Sequence, residues 1–254
     1  MLSRTFPIIG VLLTMALFAL VAVSLSASSH QDKPSYKTTG NEAALVGTIS
    51  FAGTLPKPLR IDMFADPPCY KTNPEPITES AVISDQKLAN VVVYLRGEPL
   101  DAYSFDAPSA EVTLEHSGCR YVPHVLGIQT SQILKISNND LTPQNTHVSP
   151  KLNPDWNQSQ PPGAAPIELR FAKPEVFIPV KDNQHPWEKA YIGVFSHPFF
   201  SVSSTDGSYK ISGLPPGQYT VVAWHEEFGE QTADLFLTGG EKKKVDFTFK
   251  ATAH

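Results

Sequence analysis

The chain has 254 residues, among them 23 prolines and 15 glycines, with only 18% charged side chains and a formal net charge of −5. That length holds one large or two small domains with ample material for a core, and the turn-forming content argues for many short strands over long helices. The acidic balance and the lack of a sustained basic run exclude an electrostatic footprint for nucleic acid.

Arg4 precedes an apolar run from Phe6 to Val23, and Ser24, Ser26, Ala27 and Ser28 follow. This order of charged, apolar and small residues is that of a signal peptide over residues 1–27, and it predicts a periplasmic or secreted protein of the cell envelope. The run just reaches the ~18 residues of a spanning helix, so an uncleaved anchor is the alternative and the one route to a membrane. Polar residues 28–42 read as a flexible linker, and the folded part begins near Ala43.

Ala44 to Phe51 alternates apolar with small or polar residues, as a strand does. The Pro-rich stretch from Pro56 to Pro76 is expected to be an irregular excursion pinned at Cys69. Cys69 and Cys119 lie outside any Cys-x-x-Cys spacing, and in an exported chain such a pair favours a disulfide over two buried thiols. Closing a loop of about 50 residues contributes roughly 3 to 4 kcal/mol on the chain-entropy model. Strands recur at Asn90–Leu95, Ala110–Leu114, His124–Gln129 and Gln132–Ser137, the spacing of a sandwich or Greek key. Pro150–Ala165, containing Trp156, reads as a long surface loop. Strands resume at Ile167–Phe171 and Glu175–Ile178, and beyond Phe200 a strand, turn and strand pattern runs to Phe249.

Between the strands ending at Pro179 and beginning at Ala190 lies Val180-Lys-Asp-Asn-Gln-His-Pro-Trp-Glu188. It carries Asp182, His185 and Glu188 at i, i+3 and i+6, which is how a β-sandwich loop offers ligands to a metal ion. No Ser or Cys nucleophile with a base at a recognisable spacing accompanies His197 or His225, and no enzyme is expected. His225 is read as a hydrogen-bonded residue at a junction of two sandwiches. Trp156, Trp187 and Tyr191 would serve a carbohydrate-binding module only if they shared an exposed platform.

Gly47-Thr-Ile-Ser-Phe-Ala-Gly53, Asp66-Pro-Pro-Cys69, Gly118-Cys-Arg-Tyr-Val-Pro-His124, Ile136-Ser-Asn-Asn-Asp140, His185-Pro-Trp187, His197-Pro-Phe-Phe200, Gly213-Leu-Pro-Pro-Gly-Gln-Tyr219 and Trp224-His-Glu226 follow one another in a distinctive order. Together they resemble exported bacterial cupredoxin-like proteins of the plastocyanin or methylamine-utilisation kind, joined to a carboxypeptidase-regulatory-like (transthyretin-like) β-sandwich. The resemblance implies an all-β protein with a cupredoxin-like Greek-key domain over 43–200 and a regulatory-like sandwich over 201–251. The first strands are candidates to pair with the latter.

In that family a type 1 copper is held by an upstream His and by a Cys-x-x-His-Pro-Trp-Met loop. The corresponding positions here are Gln144, Asp182, His185 and Glu188, with His147 a further candidate. Without a thiolate, blue copper and its electron transfer are not expected. The resemblance then implies a non-catalytic exported binding protein with a degenerate site, its partner a protein or small ligand of the cell envelope. No cofactor is expected on that reading, the loop having become polar surface. The alternative is a divalent ion, zinc or manganese, or Cu(II) without type 1 character, on the same oxygen and nitrogen donors; a periplasmic electron-transfer cupredoxin is the remaining one.

Overall fold

The computed structural model describes residues 33–54 and 56–251. The expected signal peptide and residues 28–32 of the expected linker lie outside the described residues. Residues 33–42 are described, and there Tyr36 packs on the core of the C-terminal strands, donating from its N–H to Ser104 O and from its hydroxyl to Gly213 O, both at 2.8 Å. Among the described residues no helix is long and apolar enough to cross a membrane.

In chain order the elements begin with β1 (Ala43–Ala52), α1 (Pro67–Thr72), β2 (Ile83–Ser84), β3 (Lys87–Leu88), β4 (Val92–Arg96) and α2 (Glu98–Asp101). There follow β5 (Val112–His116), β6 (Tyr121–Val122), β7 (Val125–Gln129), β8 (Leu134–Asn138), β9 (Gln144–Val148), β10 (Trp156–Gln160) and β11 (Ile167–Leu169). The last are β12 (Glu175–Lys181), β13 (Lys189–Phe195), β14 (Phe200–Val202), β15 (Ser208–Leu214), β16 (Gly217–His225), β17 (Gly229–Leu237), β18 (Lys242–Lys244) and β19 (Phe247–Lys250). The protein is all-β, as composition and turn content predict.

Four sheets stack into two sandwiches. One sheet runs β15-β1-β3-β2, with β18 and β19 also on β1, and faces a sheet of order β14-β4-β16-β17. Leu45, Ile49 and Phe51 from the first meet Val93, Leu95, Val221 and Ala223 from the second. The other sandwich pairs β10-β9-β12-β13-β7 with β11-β8-β5-β6. Its core contains Leu114, Ile128, Ile136, Val180, Ile192 and Val194. Between the sandwiches, Val92, Tyr94 and Val222 pack against Val125 and Phe195, and Phe177 stacks on Trp224 at 3.6 Å. Strand β4 is therefore buried on both faces, which is why Val91-Val-Val-Tyr-Leu95 is continuously apolar where β1 alternates.

The pairing draws the division of the chain differently from the expected 43–200 and 201–251. Residues 43–96 join 200–250 in one sandwich, and residues 112–195 form the other between them. β1 lies antiparallel to β15, with Leu45 opposite Ile211, and parallel to β19, with Phe51 opposite Phe249. Such long-range registers satisfy the strand's backbone groups but leave no trace in local spacing.

The expected surface loop at 150–165 also differs, since Trp156–Gln160 is edge strand β10, paired antiparallel with β9. Its residues are polar because an edge strand needs its backbone, not its side chains, to pair. At Gly47 the sheet leaves no room, because a Cβ there would lie 1.8 Å from the Val245 carbonyl oxygen. Gly47→Ala is expected to destabilise the protein by about 3 kcal/mol in urea unfolding, the cost of overpacking; an unchanged midpoint contradicts this close approach.

Candidate metal centre

The loop between β12 and β13 turns back under the end of the inserted sandwich. Asp182 shapes it: one carboxylate oxygen accepts from the backbone N–H groups of Gln184 at 2.6 Å and His185 at 2.8 Å. Its other oxygen accepts from Asn145 N at 2.6 Å, which ties the loop to β9. Asp182, His185 and Glu188 are consequently buried, as are Gln144 on β9 and His116 on β5. The expectation that this loop is ordinary polar surface does not match the structure.

Four of the sequence candidates come together. His185 Nδ1 lies 3.5 Å from Asp182 Oδ2 and 3.7 Å from Glu188 Oε1. These are ion-pair distances, too long for hydrogen bonds. Gln144 donates from Nε2 to Asp140 Oδ2 at 2.9 Å. A carboxylate accepts only, so this bond fixes the amide with Oε1 on the other side. Of the five buried side-chain atoms without a hydrogen-bond partner among the described residues, three lie here, Gln144 Oε1, His185 Nδ1 and Glu188 Oε1; the other two, Gln129 Oε1 and Gln160 Oε1, lie outside the cluster. An unpartnered buried polar atom costs about 1–3 kcal/mol. Three of them on neighbouring candidate positions are the most informative feature of this region.

His147 is not part of the cluster. Its ring contacts Asp155 at 3.1 Å and the Asn183 amide at 3.5 Å, on the opposite face of β9 from Gln144 and Thr146.

His116 is a member that the motif reading missed. Its Nδ1 lies 2.8 Å from Glu188 Oε2 and its Nε2 2.8 Å from Thr146 Oγ1. It belongs by distance to a group with Asp182 and Glu188. Both its nitrogens are already engaged, so it orients Glu188 while His185, with Nδ1 free, is the available nitrogen donor. The signal was present in β5, where Val112, Leu114 and His116 share the core-facing parity. A second group by distance, Asp66, Cys69 and His185, offers no thiolate, because Cys69 is bonded to Cys119 with the two Cα atoms 5.5 Å apart.

Burial and the Asp182 charge push the Glu188 carboxyl up to about 9. Burial alone would lower His185, but the facing Asp182 and Asp66 carboxylates outweigh it and raise the ring to about 9. His116 is pushed down to about 4 by burial. Asp182 is also penalised by burial, yet His185 and the three backbone N–H groups hold it below its usual range. The cluster therefore has an ionised Asp182 facing proton-bearing Glu188 and His185.

Other sequence candidates lie elsewhere. Trp156 packs on the inserted core, whereas Trp187 packs on the disulfide and donates from Nε1 to Cys119 O at 3.2 Å. The two rings form no common platform. His225 stacks on Phe228 inside the first sandwich, not between the two; His124 with Glu226 is a polar contact that bridges them.

Residues 180–250 match the carboxypeptidase regulatory-like domain family. The match begins at Val180 in β12 and so runs through the Asp182–Glu188 loop as well as the C-terminal strands. No curated protein matches the chain. Among solved structures, a copper-containing nitrite reductase from Thermus scotoductus is similar over 38% of this chain at 20% identity and a TM-score of 0.31. This chain covers 26% of that enzyme. A reduced amicyanin variant is 12% identical over 35% of this chain and 86% of its own, with a TM-score of 0.30. A purple cupredoxin from Nitrosopumilus maritimus is 16% identical over 32% of this chain and 97% of its own, with a TM-score of 0.28.

A type 1 copper depends on a thiolate. The buried donors Gln144, Asp182, His185 and Glu188 contain no sulfur, and the only two cysteines are joined to each other. These residues do not fit that copper.

Proposed function

We propose that the protein is a non-catalytic binding protein whose buried cluster holds a zinc ion through Gln144, Asp182, His185 and Glu188. The observation that carries this reading is the set of unpartnered buried atoms, Gln144 Oε1, His185 Nδ1 and Glu188 Oε1. A divalent ion would complete all three.

Donor spacing supports zinc over magnesium. Ligands about 2.0–2.2 Å from a tetrahedral ion are separated by roughly 3.3–3.6 Å. An octahedral magnesium at about 2.0–2.1 Å brings adjacent donors to roughly 2.9 Å. The observed 3.5 and 3.7 Å lie near the first value. Zinc would supply charge neutralisation and cross-linking of β9 to the β12–β13 loop. Burial of all four donors favours a closed structural or storage site over a hydrolytic one, which keeps a position open to substrate. Action outside the cytoplasm is supported by the Cys69–Cys119 disulfide, since such bonds persist in oxidising compartments.

Calorimetric titration with zinc tests the reading. The intact protein is expected to bind one ion, and His185→Ala to lose at least 100-fold in affinity. Equal, weak heats from both proteins would mean that protons, not a metal, permanently complete the cluster.

A further inference from the structure

The second nitrogen of His185 leads to a residue far away in sequence. His185 Nε2 lies 3.1 Å from Asp66 Oδ2, across 119 positions. Asp66 is held by more than this contact. Its Oδ1 accepts from Cys69 N at 3.0 Å as the N-cap of α1, and its Oδ2 also accepts from Thr142 Oγ1 at 2.8 Å. The two oxygens thus have separate duties: Oδ1 starts the helix, Oδ2 faces the imidazole.

The disulfide connects this arrangement to the rest of the cluster. Cys69 in α1 is bonded to Cys119, and Cys119 N donates to Asp140 Oδ2 at 3.0 Å. Asp140 is also the residue that turns the Gln144 amide. One covalent bond therefore stands behind the orientation of two of the four candidate donors, His185 through Asp66 and Gln144 through Asp140.

We propose that Asp66 is the positioning residue of the cation site: its Oδ2 accepts the Nε2 proton of His185, so the ring presents the Nδ1 lone pair to the ion, and the Cys69–Cys119 bond delivers it. The inference rests on the zinc reading above. A carboxylate behind a metal-bound imidazole fixes its tautomer and raises its basicity, and loss of such a partner costs about 10- to 100-fold in metal affinity. Helix capping alone does not explain the geometry, because the cap uses the other oxygen.

Asp66→Asn separates the two roles. Asn caps a helix as well as Asp does, so Oδ1 keeps α1 in place. Its amide N–H then confronts His185 Nε2–H, donor against donor, while the Thr142 hydroxyl can turn to accept, and this favours the opposite tautomer of the neutral ring with the proton on Nδ1. The expected result is a zinc affinity 10- to 100-fold weaker, with an unfolding midpoint close to that of the parent. In metal-free protein at neutral pH the His185 ring carries both protons, and nitrogen-edited NMR is expected to show its Nε2 proton exchanging slowly in the parent and rapidly in Asp66→Asn, which removes the acceptor. Zinc binding by Asp66→Asn within twofold of the parent, or an Nε2 proton that exchanges as slowly as in the parent, overturns the positioning role. Failure of the parent itself to bind zinc overturns the cation site and the role together, so the two failures are told apart.

Discussion

Zinc added at pH 7 should displace close to two protons per ion. Glu188 and His185 are each raised to about 9, the first by burial and the Asp182 charge, the second by Asp182 and Asp66 against the effect of burial. Both carry a proton at neutral pH, and a metal binds only the deprotonated forms. Calorimetry in two buffers of different ionisation enthalpy reads the number directly. Affinity should rise about 100-fold between pH 7 and pH 8 and level off above pH 9. Glu188→Gln removes one of the two protons. A binding heat that is the same in every buffer would show that these groups do not meet the ion.

The same shifts set the pH response of the metal-free protein. The raised Glu188 value lies above its ordinary 4.5, so its contribution is lost as pH rises from there through 9. The raised His185 value acts alike: its stabilisation is complete below 6.5 and is lost as pH passes 9. Alkali should weaken the metal-free form and leave the zinc form intact, since a bound ion stabilises by mass action.

Acid should unfold the protein through a different set of groups. His197 donates from Nε2 to Leu95 O at 3.1 Å and accepts at Nδ1 from Phe199 N at 3.2 Å, so the neutral ring is fully used. His225 is stacked on Phe228, and its Nδ1 accepts from Glu227 N at 3.2 Å. Burial pushes both down to about 4. A histidine lowered in the folded state leaves the unfolded chain binding more protons between pH 6.5 and 4. Stability is therefore present above 6.5 and lost as pH falls toward 4. Each ring contributes about 3 kcal/mol of that loss. His116 adds a third term of the same sign, and Glu188 offsets one proton of the slope above 4.5. Urea unfolding at pH 7, 6, 5 and 4 measures the slope, and His197→Gln should reduce it by one proton. A stability that stays level from pH 7 to pH 5 in both proteins would contradict this burial.

What could be read without coordinates was whatever rests on short spacing. Alternation marked β1, the apolar run within Asn90–Leu95 marked a strand, and glycine and proline clusters marked the turns between β15, β16 and β17. The i, i+3, i+6 pattern singled out Asp182, His185 and Glu188 on one loop. The two cysteines suggested their own pairing, and the structure has that bond. These signals are local because side-chain parity in a strand and dihedral preference in a turn are local.

The centre's outer partners were decided elsewhere. Asp66 meets His185 because α1 is tied to the turn before β6; His116 meets Glu188 because β5 faces the sheet that holds β12 and β13. The first strands were candidates to pair with the C-terminal sandwich, and β1 does pair with β15 and β19; that residues 43–96 and 200–250 share one sandwich, with 112–195 inserted, came only from the structure. The opening candidates Asp182, His185 and Glu188 were determined by sequence alone as three polar side chains on a loop. Their burial, and the loss of water that leaves Gln144, His185 and Glu188 with unpartnered atoms, came only from tertiary packing, since burial belongs to the assembled sheets and not to any residue in the chain.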